Sequence, residues 1–172
     1  MYGEGAAFKD LRTVCKALRR AGAQVNKKCG LHVHHDASLL LKAIRRVHGA
    51  NVENRLGFVA IELYSRMEQI LDTLMPPSRR SNNNNYCRTL LTTIIPQTAL
   101  SVTVSRVQQF ARSNGRTGGA FGSHYHKLSV AAIEAHNTLE YRQHSGTLNA
   151  GKITAWVKLT WLIHNKIAEI AT

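Results

Sequence analysis

The sequence has little that would place it in a membrane, an oxidising compartment or a nucleic-acid complex of known type. No run of eighteen apolar residues occurs, which excludes a helical membrane span, and the opening "MYGEGAAFKD" has neither the basic start nor the apolar core of a secretion signal. A cytoplasmic protein with no membrane partner is the expectation. The three cysteines, Cys15, Cys29 and Cys87, are widely spaced and form no CxxC pair, so a disulfide framework and a zinc ribbon are both disfavoured and reduced thiols are expected. Aromatic residues make up only 6% of the chain, and neither an aromatic RNA-binding strand nor a helix-turn-helix signature is present. The glycines of "GRTGGAFG" are not followed by the lysine and hydroxyl residue of a phosphate-binding Walker loop, and no internal repeat is visible.

Acidic residues are scarce as well. Ten of them stand against 23 lysines and arginines, for a formal net charge of +13. A surface of that charge attracts phosphate, whether in a nucleic acid or in a nucleotide, without choosing between them. Part of the excess is an ordinary solvated helix face, since Lys9, Arg12, Lys16, Arg19 and Arg20 recur opposite Phe8, Leu11, Val14, Cys15 and Leu18. A length of 172 residues with 44% hydrophobic composition suits one domain, residues 1–172, with a real core.

Periodicity predicts alternating helices and polar-faced strands. A helix over 6–20 ends at Gly22, where glycine relieves a left-handed cap. A strand is expected over 24–35, then helices over 38–47 and 52–75, the longer one with an apolar stripe of Leu56, Val59, Ala60, Leu63, Met67, Ile70, Leu71 and Leu74. Pro76 and Pro77 stop it. "SRRSNNNNYC" reads as a polar loop, and helical patterning resumes over 87–111. Strands over 124–130 and 138–144 precede a last helix over 150–170, with Ile153, Trp156, Val157, Leu159, Thr160, Ile163 and Ile167 as its buried stripe.

Two stretches carry chemistry. In "TLEYRQHSGT" the residues Glu140, Arg142 and His144 alternate with Leu139 and Tyr141, so a strand here would put the three polar groups on one face. The same pattern suits a strand that simply shows its polar side to water. In "CGLHVHHDA" His32 and His34 share a face, with Leu31, Val33 and His35 opposite, which presents two imidazoles to one ion or phosphate or else places two structural histidines. Asp36, just before Ser38, reads as a helix cap or a further ligand. Cys29 reads as a small buried hydrophobe rather than a nucleophile.

Taken in order and spacing, "GAQVNKKCGLHVHHDA", "MPPSRRSNNNNYC", "HYHKLSV" and "TLEYRQHSGTLNAGKITAWVKL" resemble the amidoligase family, which is similar to the carboxylate–amine ligases typified by glutamine synthetase and γ-glutamylcysteine ligase. The resemblance runs from about Tyr2 to Ile163. It implies an α+β, glutamine synthetase-like domain whose small antiparallel sheet is covered by helices on one face and forms the cleft on the other. It also implies an ATP-dependent ligase: a carboxylate is phosphorylated, and an amine displaces the phosphate to give an amide.

Such a reaction calls for Mg2+ on hard oxygen ligands and cations around phosphate oxygens. By the resemblance, Glu140, Arg142 and His144 are the catalytic candidates. Glu140 with His32 and His34 would hold metal, and His32, His34, Arg79, Arg80 and Arg142 would hold nucleotide phosphate or a substrate carboxylate. Gly146 and Thr147 would shape the following turn, and Tyr125 and Lys127 would lie near the substrate. The family resemblance also raises an expectation of incompleteness. Related enzymes carry a glutamate–x–glutamate metal strand ahead of the matched region, and no two of the ten acids here stand two residues apart. The expectation is therefore a domain lacking its N-terminal strand, completed by an upstream polypeptide or inactive alone. The alternatives are a non-catalytic phosphate-binding or nucleic-acid-binding protein on the same fold, and a zinc enzyme using His32, His34 and a third histidine.

Overall fold

The computed structural model describes residues 4–50, 52–90 and 124–172. Along them run α1 (Glu4–Arg20), β1 (Val33–Asp36), α2 (Ser38–His48), α3 (Val52–Thr73), β2 (Leu128–Ser129), α4 (Ala131–His136), β3 (Thr138–Tyr141) and α5 (Ala150–Ala171). The strands form one antiparallel sheet in the order β1-β3-β2, so the class is α+β with a small open sheet. Helices α3 and α5 pack against each other beneath it, and α1 lies on α5. No described helix is long and apolar enough to cross a membrane.

The local chemistry explains where the elements stop. Helix α1 ends in a Schellman motif: Gly22 takes φ +78°, and the amides of Gly22 and Ala23 donate to the carbonyls of Arg19 and Leu18. The N-cap of α2 is Ala37, with no side-chain cap; Asp36, one residue earlier, leads into the helix through a carboxylate that accepts from both the amide and the hydroxyl of Ser38. Asn149 caps α5 by accepting from the Lys152 amide. The asparagine-rich loop is folded rather than merely solvated. Asn84 accepts from the Tyr86 amide, Asn82 accepts from the Thr89 amide, and Asn83 donates to the Pro77 carbonyl.

The strands are shorter than the alternation predicts. β1 occupies only Val33–Asp36, because residues 26–29 form a turn in which Asn26 accepts from the Lys28 amide. β3 ends at Tyr141, and a short helix, α4, not anticipated from the pattern, fills 131–136 between the last two strands. Residues 87–90 are not helical, and Arg88 pairs with His126; the rest of the helix expected to 111 lies outside the described residues.

The core lies between the sheet and α2, α3 and α5. Leu56, Ile61, Tyr64, Ile133, Leu139, Tyr141, Ile163 and Ile167 are fully or almost fully buried. The α3 stripe is rotated from the expected one: Ile70 and Leu74 are exposed, and Tyr64 and Glu68 are buried instead. On α5, Trp156, Thr160, Ile163 and Ile167 are buried as the periodicity requires, while Ile153, Val157 and Leu159 of the expected stripe are only partly buried.

Candidate active site

Antiparallel register sets the site. His34 stands directly opposite Glu140 on β3, and Ser129 of β2 flanks Glu140 on its other side. His32, two residues earlier, follows the same alternation. Both imidazoles are part-exposed while Val33 and His35 face inward, which is the partition expected for this segment. His35 is held in the core by a 2.8 Å hydrogen bond to the Thr160 hydroxyl.

Glu140, itself buried, is the hub of this face. Its Oε1 lies 2.6 Å from Arg142 Nη1, 3.1 Å from His32 Nδ1 and 3.6 Å from His34 Nε2. The other nitrogen of His34 is fixed 2.9 Å from the Thr138 hydroxyl. Burial alone would raise the Glu140 carboxyl, but the His32 hydrogen bond and the Arg142 guanidinium outweigh it and hold the group at about 2. Glu140 is therefore a carboxylate at any ordinary pH.

Arg79, in a 3-10 turn after the double proline, joins this cluster from below. It is 3% exposed, and its Nη2 donates to the Cys29 carbonyl at 2.7 Å. Gly30 makes the approach possible: a Cβ there would stand 3.0 Å from His32 Nε2 and 3.3 Å from Arg79 Nη2. Arg79 and Arg142 each keep a buried Nε with no hydrogen-bond partner among the described residues. Two buried guanidinium groups with unsatisfied donors, beside two imidazoles and one already neutralised carboxylate, suit an anion such as phosphate.

The same residues suit Mg2+ poorly. A hard divalent ion takes several oxygen ligands. Glu140 Oε1 is already in contact with Arg142, and the other carboxylate on these strands, Asp36, is engaged by Ser38.

Not every candidate joins the cluster. The expectation that His144 shares a face with Glu140 and Arg142 fails, because regular pairing stops at Tyr141. The His144 ring turns to α5, with its centroid 5.4 Å from that of Trp156 and Nδ1 2.6 Å from the Ser145 carbonyl. Burial lowers the His144 pKa, the Ser145 carbonyl opposing it, so this imidazole is neutral at physiological pH. Arg80 is exposed and donates to the Met75 carbonyl, bracing the turn. Lys127 is entirely buried and does not face the cleft.

Lys127, expected near the substrate, is instead tied to α3 by partners that sequence alone does not single out. Lys127 Nζ lies 2.8 Å from Glu68 and 2.7 Å from Asp72, both on α3. Gln143 bridges Asp72 and Tyr64, Thr89 donates its hydroxyl to Glu68, and the Leu90 amide donates to the same carboxylate. Residues 64, 68 and 72 recur four apart, so the signal was present as a polar edge inside an otherwise apolar helix. The network also fixes Arg142, whose amide donates to the Lys127 carbonyl at 2.8 Å.

Comparison with known proteins agrees with the order of these motifs. The family model described as "Putative amidoligase enzyme" matches residues 2–163. A search of the curated proteins found no match, and neither did a search of the solved structures. With nearly its whole length under that family model, and with its histidine strand and Glu140–Arg142 strand paired on one face, the chain belongs to the amidoligase family.

Proposed function

We propose that this chain serves ATP-dependent amide formation, on a glutamine synthetase-like fold, in the cytoplasm. In that reaction a carboxylate oxygen attacks the γ-phosphorus of ATP, the bond to ADP breaks, and an acyl phosphate results. An amine nitrogen then attacks the acyl carbon, phosphate leaves with the C–O electron pair, and the amine gives up a proton. Arg142, Arg79, His32 and His34 would bind the phosphate oxygens through both steps. Glu140 would orient Arg142 and His32 rather than react.

The observation that carries this reading is the convergence of the Arg142 guanidinium and two part-exposed imidazoles upon the Glu140 carboxylate, with the buried Arg79 guanidinium held beside Gly30 and His32. Mg2+ enters this proposal as the nucleotide's own ion, and its oxygen ligands would come from groups beyond these residues, in another part of the chain or in a polypeptide encoded upstream. Calorimetric titration with ATP is the first test, and we expect Arg142→Ala to weaken binding at least tenfold. Trapping of the acyl phosphate by hydroxylamine, with and without the upstream polypeptide, tests the chemistry. ATP affinity unchanged in Arg142→Ala would remove this face from the reading.

A second reading, a non-catalytic phosphate-binding or nucleic-acid-binding protein, draws on the single carboxylate that the described residues bring to the site and on the +13 charge. It predicts ATP or oligonucleotide binding with no hydroxamate under any condition.

A further inference from the structure

Behind the 144–147 segment lies a cavity of about 360 Å³ that the phosphate cluster does not use. Its apolar wall is Met75 and Pro76, just past the end of α3, and Trp156 and Leu159 from α5; its polar lining is the 144–147 backbone turn, and Lys152 and Ala155 reach it from the first turns of α5. The volume is at the lower end of the roughly 300–1,000 Å³ typical of small-molecule sites. Among the described residues no acidic side chain lines it, and its one charged group is the Lys152 ammonium. Such a space favours an apolar body that carries one negative charge, and disfavours an ammonium ion.

The cavity and the phosphate cluster share their wall. His144 follows Arg142 by two residues, the His144 carbonyl accepts from the Leu31 amide, and the Gly146 amide donates to the Cys29 carbonyl, which also receives Arg79. Gly146 is required for this closeness, because a Cβ there would stand 2.5 Å from the Cys29 Cβ. The 144–146 backbone thus stands between the two sites, with the cavity on one side and the guanidinium groups on the other.

We propose that this cavity binds the apolar body of an aliphatic or aromatic carboxylic acid, its carboxylate drawn by Lys152. That such an acid is the substrate to be phosphorylated rests on the ligase reading above; that the cavity binds it does not. The neutral His144 imidazole adds no charge and leaves Lys152 to set the preference for an anion.

The test uses 3-phenylpropionate and its uncharged amide as probes, in a Trp161→Phe background where Trp156 is the sole remaining tryptophan and reports occupancy by fluorescence. We expect saturable quenching or enhancement by the acid, at least tenfold weaker binding in Ala155→Phe, which fills the cavity from an exposed helix position, and loss of the preference for acid over amide in Lys152→Met. Absence of a saturable signal, or Ala155→Phe binding like its parent, overturns the proposal. So does equal affinity for acid and amide in the parent. ATP titration of the same variants separates the two ideas: acid binding without any ATP binding keeps the cavity and removes the ligase reading, whereas ATP binding without acid binding does the reverse.

Discussion

Glu140 shows how a residue can look like an exposed catalytic acid and be something more constrained. In the sequence it stands on the polar face of an alternating strand, where a change to glutamine would be expected to leave folding nearly intact. In the structure it is only 6% exposed and accepts from Arg142 and His32. Glu140→Gln should therefore cost about 1–3 kcal/mol, the range for losing hydrogen bonds to a charged group, and urea denaturation would read it as a lower midpoint at constant slope. An unchanged midpoint would mean that Arg142 and the histidines hold the face without it. Because the folded carboxyl is held near 2 against an ordinary 4.5, its contribution is complete above pH 4.5 and fades as pH falls toward 2. Gly146 is the sterically opposite case: Gly146→Ala forces a methyl against the Cys29 Cβ, and a loss of about 1–3 kcal/mol is expected on thermal melting, as for other overpacked sites.

At the scale of elements, α3 carries the main lesson about what can be read from a sequence. Its existence and span follow from the apolar period, and its stop follows from Pro76 and Pro77. Its rotation does not, because Ile70 and Leu74 count as apolar while the helix turns Tyr64, Glu68 and Asp72 toward the sheet. The partner that makes this rotation favourable, Lys127, is 55 and 59 residues away along the chain, and no local pattern announces it. The histidine strand was legible in its faces but not its length, since alternation says nothing about where hydrogen-bonded pairing ends. His144 was misplaced for that reason. Lys127→Met should strand the Glu68 carboxylate in the core and destabilise the fold by about 3–5 kcal/mol, as breaking a buried ion pair does. The double change with Glu68→Leu should recover part of the loss in chemical denaturation. No recovery would show that the two side chains are not energetically coupled.

For the molecule as a whole, the core is pH-sensitive in a definite direction. His35 packs against Tyr141 and the His164 ring, and burial first, then His164 and His34, push it down to about 4 from 6.5. Burial lowers His164 as well, the Asp36 backbone and carboxylate opposing it. Both are neutral in the folded state, and the unfolded chain takes up protons first as pH falls. Stability is thus intact above about pH 6.5 and declines toward pH 4, by on the order of 3 kcal/mol for His35 alone. Melting temperatures at pH 8, 6 and 5 should fall in that order, with a smaller drop in His35→Gln, and a flat profile in the parent would contradict the neutral pair.

The sheet order has a consequence in time. β3 is the middle strand, and the hydrogen-bonded pair His34 and Thr138 are 104 residues apart. At the usual pace of translation, those residues take roughly 5–20 s to add. Throughout that interval His32 and His34 are on the nascent chain without Glu140, and Glu68 is without Lys127. Helices α1 to α3 can form as they emerge, but neither edge strand can pair with β3 until it has left the ribosome. The phosphate-binding face is therefore completed late in synthesis, and a translation product that stops before Thr138 has helices but no sheet on which to build it.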